Sequence, residues 1–297
     1  MKAAPFAYHR PESVADAVSL LGEYGDEAKI LAGGQSLVPM LAMRLTHFEN
    51  LIDISRVEAL RNIELRDGAV WIGAGTPHAF VGMDDEVAES VPLLTLSTPH
   101  IGHFQIRTRG TLGGAIAHAD PAAEYAAVAV ALDAEIEATS ARGTRRIAAA
   151  DFFTGLWETS LAADEILTAV AFPAWSGRCG FSVQEFARRH GDFAIAGATV
   201  AVELDDDDAV LRCGIGLLGM GSTPERGTPA ESAILGRPVD DISAEELGRL
   251  AVSALEDVPA DLQGSAAYRS KVCATMVARA WTEATTAAVE TREAINA

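Results

Sequence analysis

The stretch Lys29-Ile-Leu-Ala-Gly-Gly-Gln-Ser-Leu37 constrains this chain more than any other. The apolar run Ala28 to Leu31 reads as a buried strand. Gly33 and Gly34 tolerate positive φ and let a ligand reach the backbone without meeting a Cβ. Ser36 is placed to cap a helix through Val38, Met40, Leu41 and Leu45. A helix N-terminus offers unpaired N–H groups and a partial positive charge. Strand, double-glycine turn and helix together make an anion cradle. A second such element runs from Gly110 to Glu124. Gly113 and Gly114 are expected at its turn, with Asp120 as N-cap and Pro121 at the first position of a helix reaching Leu132. Two cradles in one domain suit a pyrophosphate.

Charge decides what else could hold an anion. The net charge is -19 and the pI about 4.7, which argues against a nucleic-acid or anionic-membrane surface. A phosphate site here must rely on local N–H groups. No apolar run approaches the roughly eighteen residues of a membrane helix, and the N-terminus lacks a signal-peptide core. Cys179, Cys213 and Cys273 are odd in number and far apart. They fit neither a disulfide framework nor a zinc or iron–sulfur ligand set. A cytoplasmic, reduced chain without its own metal is the expectation.

The rest of the chain reads as alternating helices and strands. Residues 11 to 24 form a helix with Val14, Val18 and Leu21 as its apolar stripe, stopped by Gly25. Leu51 to Ile54 is a short strand. Residues 63 to 73 form a hairpin turning at Asp67-Gly68. Helices are expected from Thr76 and over 87 to 98, where Pro92 has no obvious place. Strands follow at 134 to 138, 144 to 147 and 164 to 172. The Gly/Pro/Ser-rich stretch 173 to 180 marks a boundary between domains 1–175 and 176–297. Beyond it come strands at 180 to 188, 194 to 204 and 210 to 218. Asp205 to Asp208 forms a solvated turn between the last two. Ser243 with Glu246 makes a capping box, and a long helix runs from Ala266 to about Val289. Three strands followed by helices suggest an α+β second domain.

Several motifs have plainer readings. Gly214-Ile-Gly216-Leu-Leu-Gly219 matches G-x-G-x-x-G by letter, but no helix can follow through Pro224 and Gly227. Gly34-Gln35-Ser36-Leu37-Val38 falls one glycine short of a hydrolase elbow, and Ser36 reads better as a cap. His100 and His103 lack a third metal ligand. Glu124 lies one position past the capping-box place, so its carboxyl is open either to a ligand or to solvent.

These residues resemble the FAD-binding medium subunit of molybdenum hydroxylases, the carbon monoxide dehydrogenase and xanthine dehydrogenase group. Ala32-Gly-Gly-Gln-Ser36 and Thr111-Leu-Gly-Gly114 look like that family's two flavin-pyrophosphate loops. Leu51-Ile-Asp-Ile-Ser, Asp164 to Val170, Ala187-Arg-Arg-His-Gly-Asp192-Phe-Ala, Thr223 to Arg226 and Tyr268-Arg269 add to the likeness. The resemblance implies an α+β fold. A two-subdomain, PCMH-type FAD-binding domain is followed by a C-terminal domain with a three-stranded antiparallel sheet and a helical bundle. It implies that Lys29, Leu31, Ala32, Gly33, Gly34, Gln35, Ser36 and Leu37, with Thr111, Gly113, Gly114 and Ala115, wrap the pyrophosphate. Asp120 would lie near the cofactor, Glu124 would touch it, Ile101 would line the flavin, and Ile166 or Leu167 would pack on its ring.

Two departures stand out. Ala115 replaces a polar residue common in relatives. Gln184 replaces a lysine that xanthine-oxidising relatives carry near the flavin. The implied assembly is a dimer of heterotrimers. A large molybdopterin-binding subunit oxidises the substrate, and a small subunit with two [2Fe–2S] clusters relays electrons. This chain, with FAD, would pass them to an external acceptor, with no acid, base or nucleophile of its own. The alternatives are a stand-alone flavin oxidase or reductase on the same FAD-binding fold, and an FAD-free assembly subunit.

Overall fold

The computed structural model of the protein describes residues 2–295. The first helix, Val14–Tyr24, starts at Ser13, whose hydroxyl accepts the Asp16 N–H at 3.1 Å, and stops at Gly25 with φ 52°. Its buried stripe of Ala17, Val18 and Leu21 covers a parallel sheet. That sheet comprises β1 (Ala7–His9), β2 (Ala28–Leu31) and β3 (Asn50–Asp53), in the order β1-β3-β2. Parallel neighbours need crossover connections. The connection from β2 to β3 carries the first glycine loop and the short helix Leu37–Met43.

A five-stranded antiparallel sheet forms the second subdomain. It holds β4 (Ile63–Arg66), β5 (Ala69–Gly73), β6 (Glu135–Ser140) and β7 (Gly143–Ala148). The short strands β8 (Phe153–Gly155) and β9 (Glu158–Thr159) pair only with each other. The central strand, β10 (Ile166–Pro173), completes the order β4-β5-β10-β6-β7. Asp67 and Gly68 have φ 52° and 74°, the double positive φ that an Asp-Gly hairpin turn requires. Pro92 finds its place here. The helical run breaks at Val91 into Asp85–Ser90 and Pro92–Ser97, and a proline is tolerated in a helix's first turn. Val70, Ile72, Ile136, Val170 and Phe172 from the sheet share one core with Leu112, Ile116, Tyr125 and Val128 from the helices.

The C-terminal sheet is antiparallel: β11 (Arg178–Phe186), β12 (Ala196–Leu204), β13 (Val210–Leu218) and a two-residue β14 (Glu225–Arg226). The three long strands match the expectation, and β14 adds a short fourth. The helix Ala266–Ile295 covers one face. The helix Glu124–Ala131 lies on the other. A Cβ at Gly214 or Gly216 would strike the carbonyl oxygens of Ala131 and Ala127. Those glycines let a helix seat directly on β13. Arg226 bridges the two parts, bonding Glu231 on one side and Asp133 and the Val130 carbonyl on the other. Among the described residues no helix is long and apolar enough to cross a membrane.

Candidate functional site

The two glycine loops meet. A Cβ on Gly33 would run into the Arg109 carbonyl and come within 2.6 Å of the Gly110 Cα. A Cβ on Gly114 would lie 2.8 Å from Thr111 Oγ1 and 3.5 Å from the Ala32 Cβ. Segments 32–34 and 109–114 therefore lie backbone to backbone, brought together by the end of β2 and the start of the helix Leu112–His118.

The first loop supplies the donors. The N–H groups of Gly33, Gly34, Gln35, Ser36 and Leu37 find no acceptor among the described residues. Gly34 holds φ 75°, and Gln35 Nε2 donates to the Gly33 carbonyl at 3.0 Å, which braces the loop. Ser36 occupies the N-cap position but its hydroxyl makes no cap bond. Its φ/ψ of -98°/-50° is helical, whereas a side-chain cap needs extended backbone. The expected Ser36 cap is thus corrected, and its hydroxyl makes no hydrogen bond among the described residues. Such a run of N–H groups suits phosphate oxygens.

The second loop differs from expectation. Gly113 and Gly114 are not in a turn but inside the helix Leu112–His118, capped by Thr111, which accepts the Gly114 N–H at 3.0 Å. Leu112 and Gly113 donate to the Thr76 and Ala74 carbonyls, each at 3.0 Å. A Cβ on Gly113 would clash with Ala74, so this glycine serves packing. Among the described residues the Thr111 N–H and hydroxyl find no acceptor, so this loop can offer both to a ligand. Ala115 is half-buried and offers no polar atom.

Asp120 is not an N-cap. The helix begins at Glu124 with Ala123 before it, while Asp120 Oδ1 accepts the Ala122 N–H at 2.9 Å in an Asx turn. Pro121 instead gives its carbonyl to the Gly219 N–H at 2.9 Å. Trp157 Nε1 reaches Asp120 Oδ2 at 3.4 Å, and the Trp157 ring stacks on His118 with centroids 6.2 Å apart. Burial holds the His118 pKa below its usual value, and the Lys29 ammonium adds to this against Asp120. Lys29 is exposed at the loop's entrance, its Nζ 5.8 Å from the centre of the Phe48 ring. Leu31, Ala32 and Leu37 are half-buried beside it. Ile166 packs into the core under the first helix and Leu167 into the larger core. The Ile101 carbonyl is held by Arg107 Nη1 at 3.1 Å, which also grips the Gly102 carbonyl at 2.9 Å.

Gln184 does not face this region. Its Nε2 donates to Glu283 Oε2 at 2.7 Å, as does the Ser182 hydroxyl at 2.7 Å. Strand alternation puts both on the face toward the long helix. The residue facing the first domain is Glu185, whose Oε2 lies 3.5 Å from His100 Nδ1. Strand parity, applied to 178–186, would have pointed to Glu185. Glu124 sits at the first position of its helix. Burial, with the Glu185 charge next, pushes its carboxyl up to about 8 against the pull of its own backbone N–H.

Residues 4–175 match the family described as the FAD binding domain in molybdopterin dehydrogenase, and 181–284 match the CO dehydrogenase flavoprotein C-terminal domain. The chain belongs to the FAD-binding medium subunits of molybdenum hydroxylases. It is 39% identical to the 6-hydroxypseudooxynicotine dehydrogenase complex subunit alpha of Paenarthrobacter nicotinovorans, over 100% of both chains. It is 35% identical to caffeine dehydrogenase subunit beta of Pseudomonas sp. strain CBB1, over 94% of this chain and 95% of that one. A carbon monoxide dehydrogenase structure from Hydrogenophaga pseudoflava superposes with a TM-score of 0.93 at 34% identity, covering 97% and 99%. The medium subunit therefore carries an FAD-binding domain, and its free N–H run and paired bare loops fit a dinucleotide pyrophosphate.

Proposed function

We propose that this chain holds one FAD between its two glycine loops and serves as the electron outlet of a multi-subunit molybdenum hydroxylase. The observation that carries this is the contact of Gly33 with the Arg109–Gly110 backbone, beside five N–H groups without acceptors among the described residues. Gly33 to Leu37 would donate to the phosphates, with Ser36 and Thr111 adding hydroxyls. Gln35 acts as a brace and Gly113 as a packing residue. Lys29 sits at the rim and Ala32 and Leu31 floor the loop. Glu124, largely protonated at neutral pH, can donate as well as accept a hydrogen bond beside the flavin, near Ile101. Bound flavin would supply two-electron storage with one-electron exchange; the protein binds, orients and tunes it.

Electrons would arrive from two [2Fe–2S] clusters on a small partner, fed by a molybdopterin cofactor on a large one. The relatives named as complex subunits and medium chains support this reading. A dimer of heterotrimers, a cytoplasmic site and a domain boundary between 175 and 176 belong to the same proposal. The test is to purify the chain alone and with its partners. The expected result is one FAD per chain, with substrate oxidation only when the partners are present. Turnover by the isolated chain would point instead to a stand-alone flavin oxidase. A colourless chain that takes up no FAD would defeat the proposal.

A further inference from the structure

Ser182 and Gln184 of β11 turn toward Glu283, while Phe181 and Val183 pack on the core of the first domain. Glu185 follows the second parity. Its side chain is 6% exposed, and Oε2 has no hydrogen-bond partner among the described residues. An ionised carboxylate oxygen left unpaired and buried is costly, and a proton on it removes most of that cost. His100 Nδ1 lies 3.5 Å away across the seam, on a ring whose side chain is 34% exposed. His100 thus touches solvent on one side and Glu185 on the other. Glu124 approaches Glu185 closely enough for the two charges to repel, with Asp120 behind it. His190 faces His100 from the segment after β11, and the rings of His103 and His190 are 6.3 Å apart. Burial pushes the Glu185 carboxyl up to about 7. Burial, with His190, holds His100 below its usual value. Burial thus favours the uncharged form of both groups, a carboxylic acid beside a neutral imidazole that can pass a proton between its two ring nitrogens.

We propose that His100 and Glu185 form a proton path across the seam between the two domains, from solvent at the His100 ring to Glu185 Oε2 beside the flavin cleft. The inference rests on the FAD reading above. Bound flavin, when reduced by two electrons, would need a proton. Glu185 releases that proton from Oε2 and becomes a carboxylate. His100 would then reprotonate it from Nδ1 while its Nε2 takes a proton from solvent. The balance is two electrons and one solvent proton. A purely structural ion pair would stabilise the seam without setting the rate of proton uptake.

The experiment follows proton uptake with a pH-indicator dye while the FAD-loaded full chain is reduced in a stopped-flow mixer by reduced methyl viologen, a one-electron donor that releases no proton. Unaltered protein is compared with Glu185→Gln and His100→Ala, with and without added imidazole. The expected result is slowed uptake in both variants and recovery of His100→Ala by imidazole. In flavin-free protein, an infrared carboxylic-acid band that titrates near pH 7 should vanish in Glu185→Gln. Should Glu185→Gln fail to fold, the His100→Ala and imidazole arms decide alone. Unchanged uptake with FAD bound, or no response to imidazole, overturns this inference but leaves the FAD reading intact. An unaltered chain that binds no FAD overturns both.

Discussion

Replacing Gly33 with alanine should weaken FAD binding without abolishing the fold. The new methyl would meet the Arg109 carbonyl and stand 2.6 Å from the Gly110 Cα. Carbon atoms pack at about 3.5–4.0 Å, so the loops must separate by roughly 1 Å. The obstacles are backbone atoms, which cannot rotate away. Overpacking of this kind costs about 1–3 kcal/mol of stability. The effect on the ligand is larger in kind. Hydrogen bonds to charged groups are worth about 1.5–3 kcal/mol each, and a 1 Å displacement forfeits at least one of them. The FAD dissociation constant should rise about ten- to a hundredfold, since each 1.4 kcal/mol is about a factor of ten. Flavin fluorescence quenching on deflavinated protein measures it, with thermal unfolding run beside it. Gly22→Ala is the control: a Cβ there meets nothing within 4 Å, and alanine suits a helix better by about 1 kcal/mol. If Gly33→Ala bound FAD as tightly as the unaltered chain, the claim that the two loops must touch to hold the cofactor would be wrong.

Thr111→Val removes a helix cap and a free hydroxyl. It should cost about 1 kcal/mol of stability and several-fold in FAD affinity, while Thr111→Ser preserves both; denaturant titration and FAD binding would show it. Gln184→Lys should leave the flavin midpoint potential unchanged, because the new ammonium reaches Glu283 on the far face of β11; a clear shift in a dye-equilibrated redox titration would refute the placement. Burial raises Glu124 from 4.5 to about 8, so the folded chain holds a proton that the unfolded chain loses. Its contribution is fully present below pH 4.5 and is lost as pH rises through about 8. Stability of FAD-free protein should therefore fall over that window, and Glu124→Gln should flatten the decline in denaturant titrations. Glu165 behaves oppositely: the Arg145 hydrogen bond lowers its pKa, so its contribution is present above pH 4.5 and lost as pH falls through the folded value. Glu165→Gln should reduce the loss of stability on acidification.

Local chemistry made much of the fold legible. The β2 strand, the Asp67-Gly68 hairpin, the Ser13 and Ser243 helix starts and the three long strands of the C-terminal sheet follow from capping, turn and periodicity rules. The errors have physical causes. Asp120-Pro121 carries a helix-start signature, yet its Asx turn and the Pro121–Gly219 bond to the other domain displace the helix to Glu124. Gly113-Gly114 reads as a turn because glycine disfavours helix. The Thr111 cap and the contact with Ala74, which excludes any side chain, override that preference. Ser36 keeps the composition of a cap without its backbone angles. The resemblance puts Gln184 near the flavin, whereas the alternation of β11 turns its side chain to Glu283 and gives Glu185 the opposite face, against His100. Long-range approach, such as Gly33 on Arg109, leaves no local trace in either segment.

Amide NMR tests the central claim most directly. In isotope-labelled, deuterated protein, adding FAD should move the Gly33, Gly34, Gln35 and Ser36 amide protons downfield and produce through-bond coupling to the two phosphorus nuclei. The Gly113 amide, already bonded to Ala74, should stay free of such coupling. Bound FAD with those four amides unmoved would contradict the account.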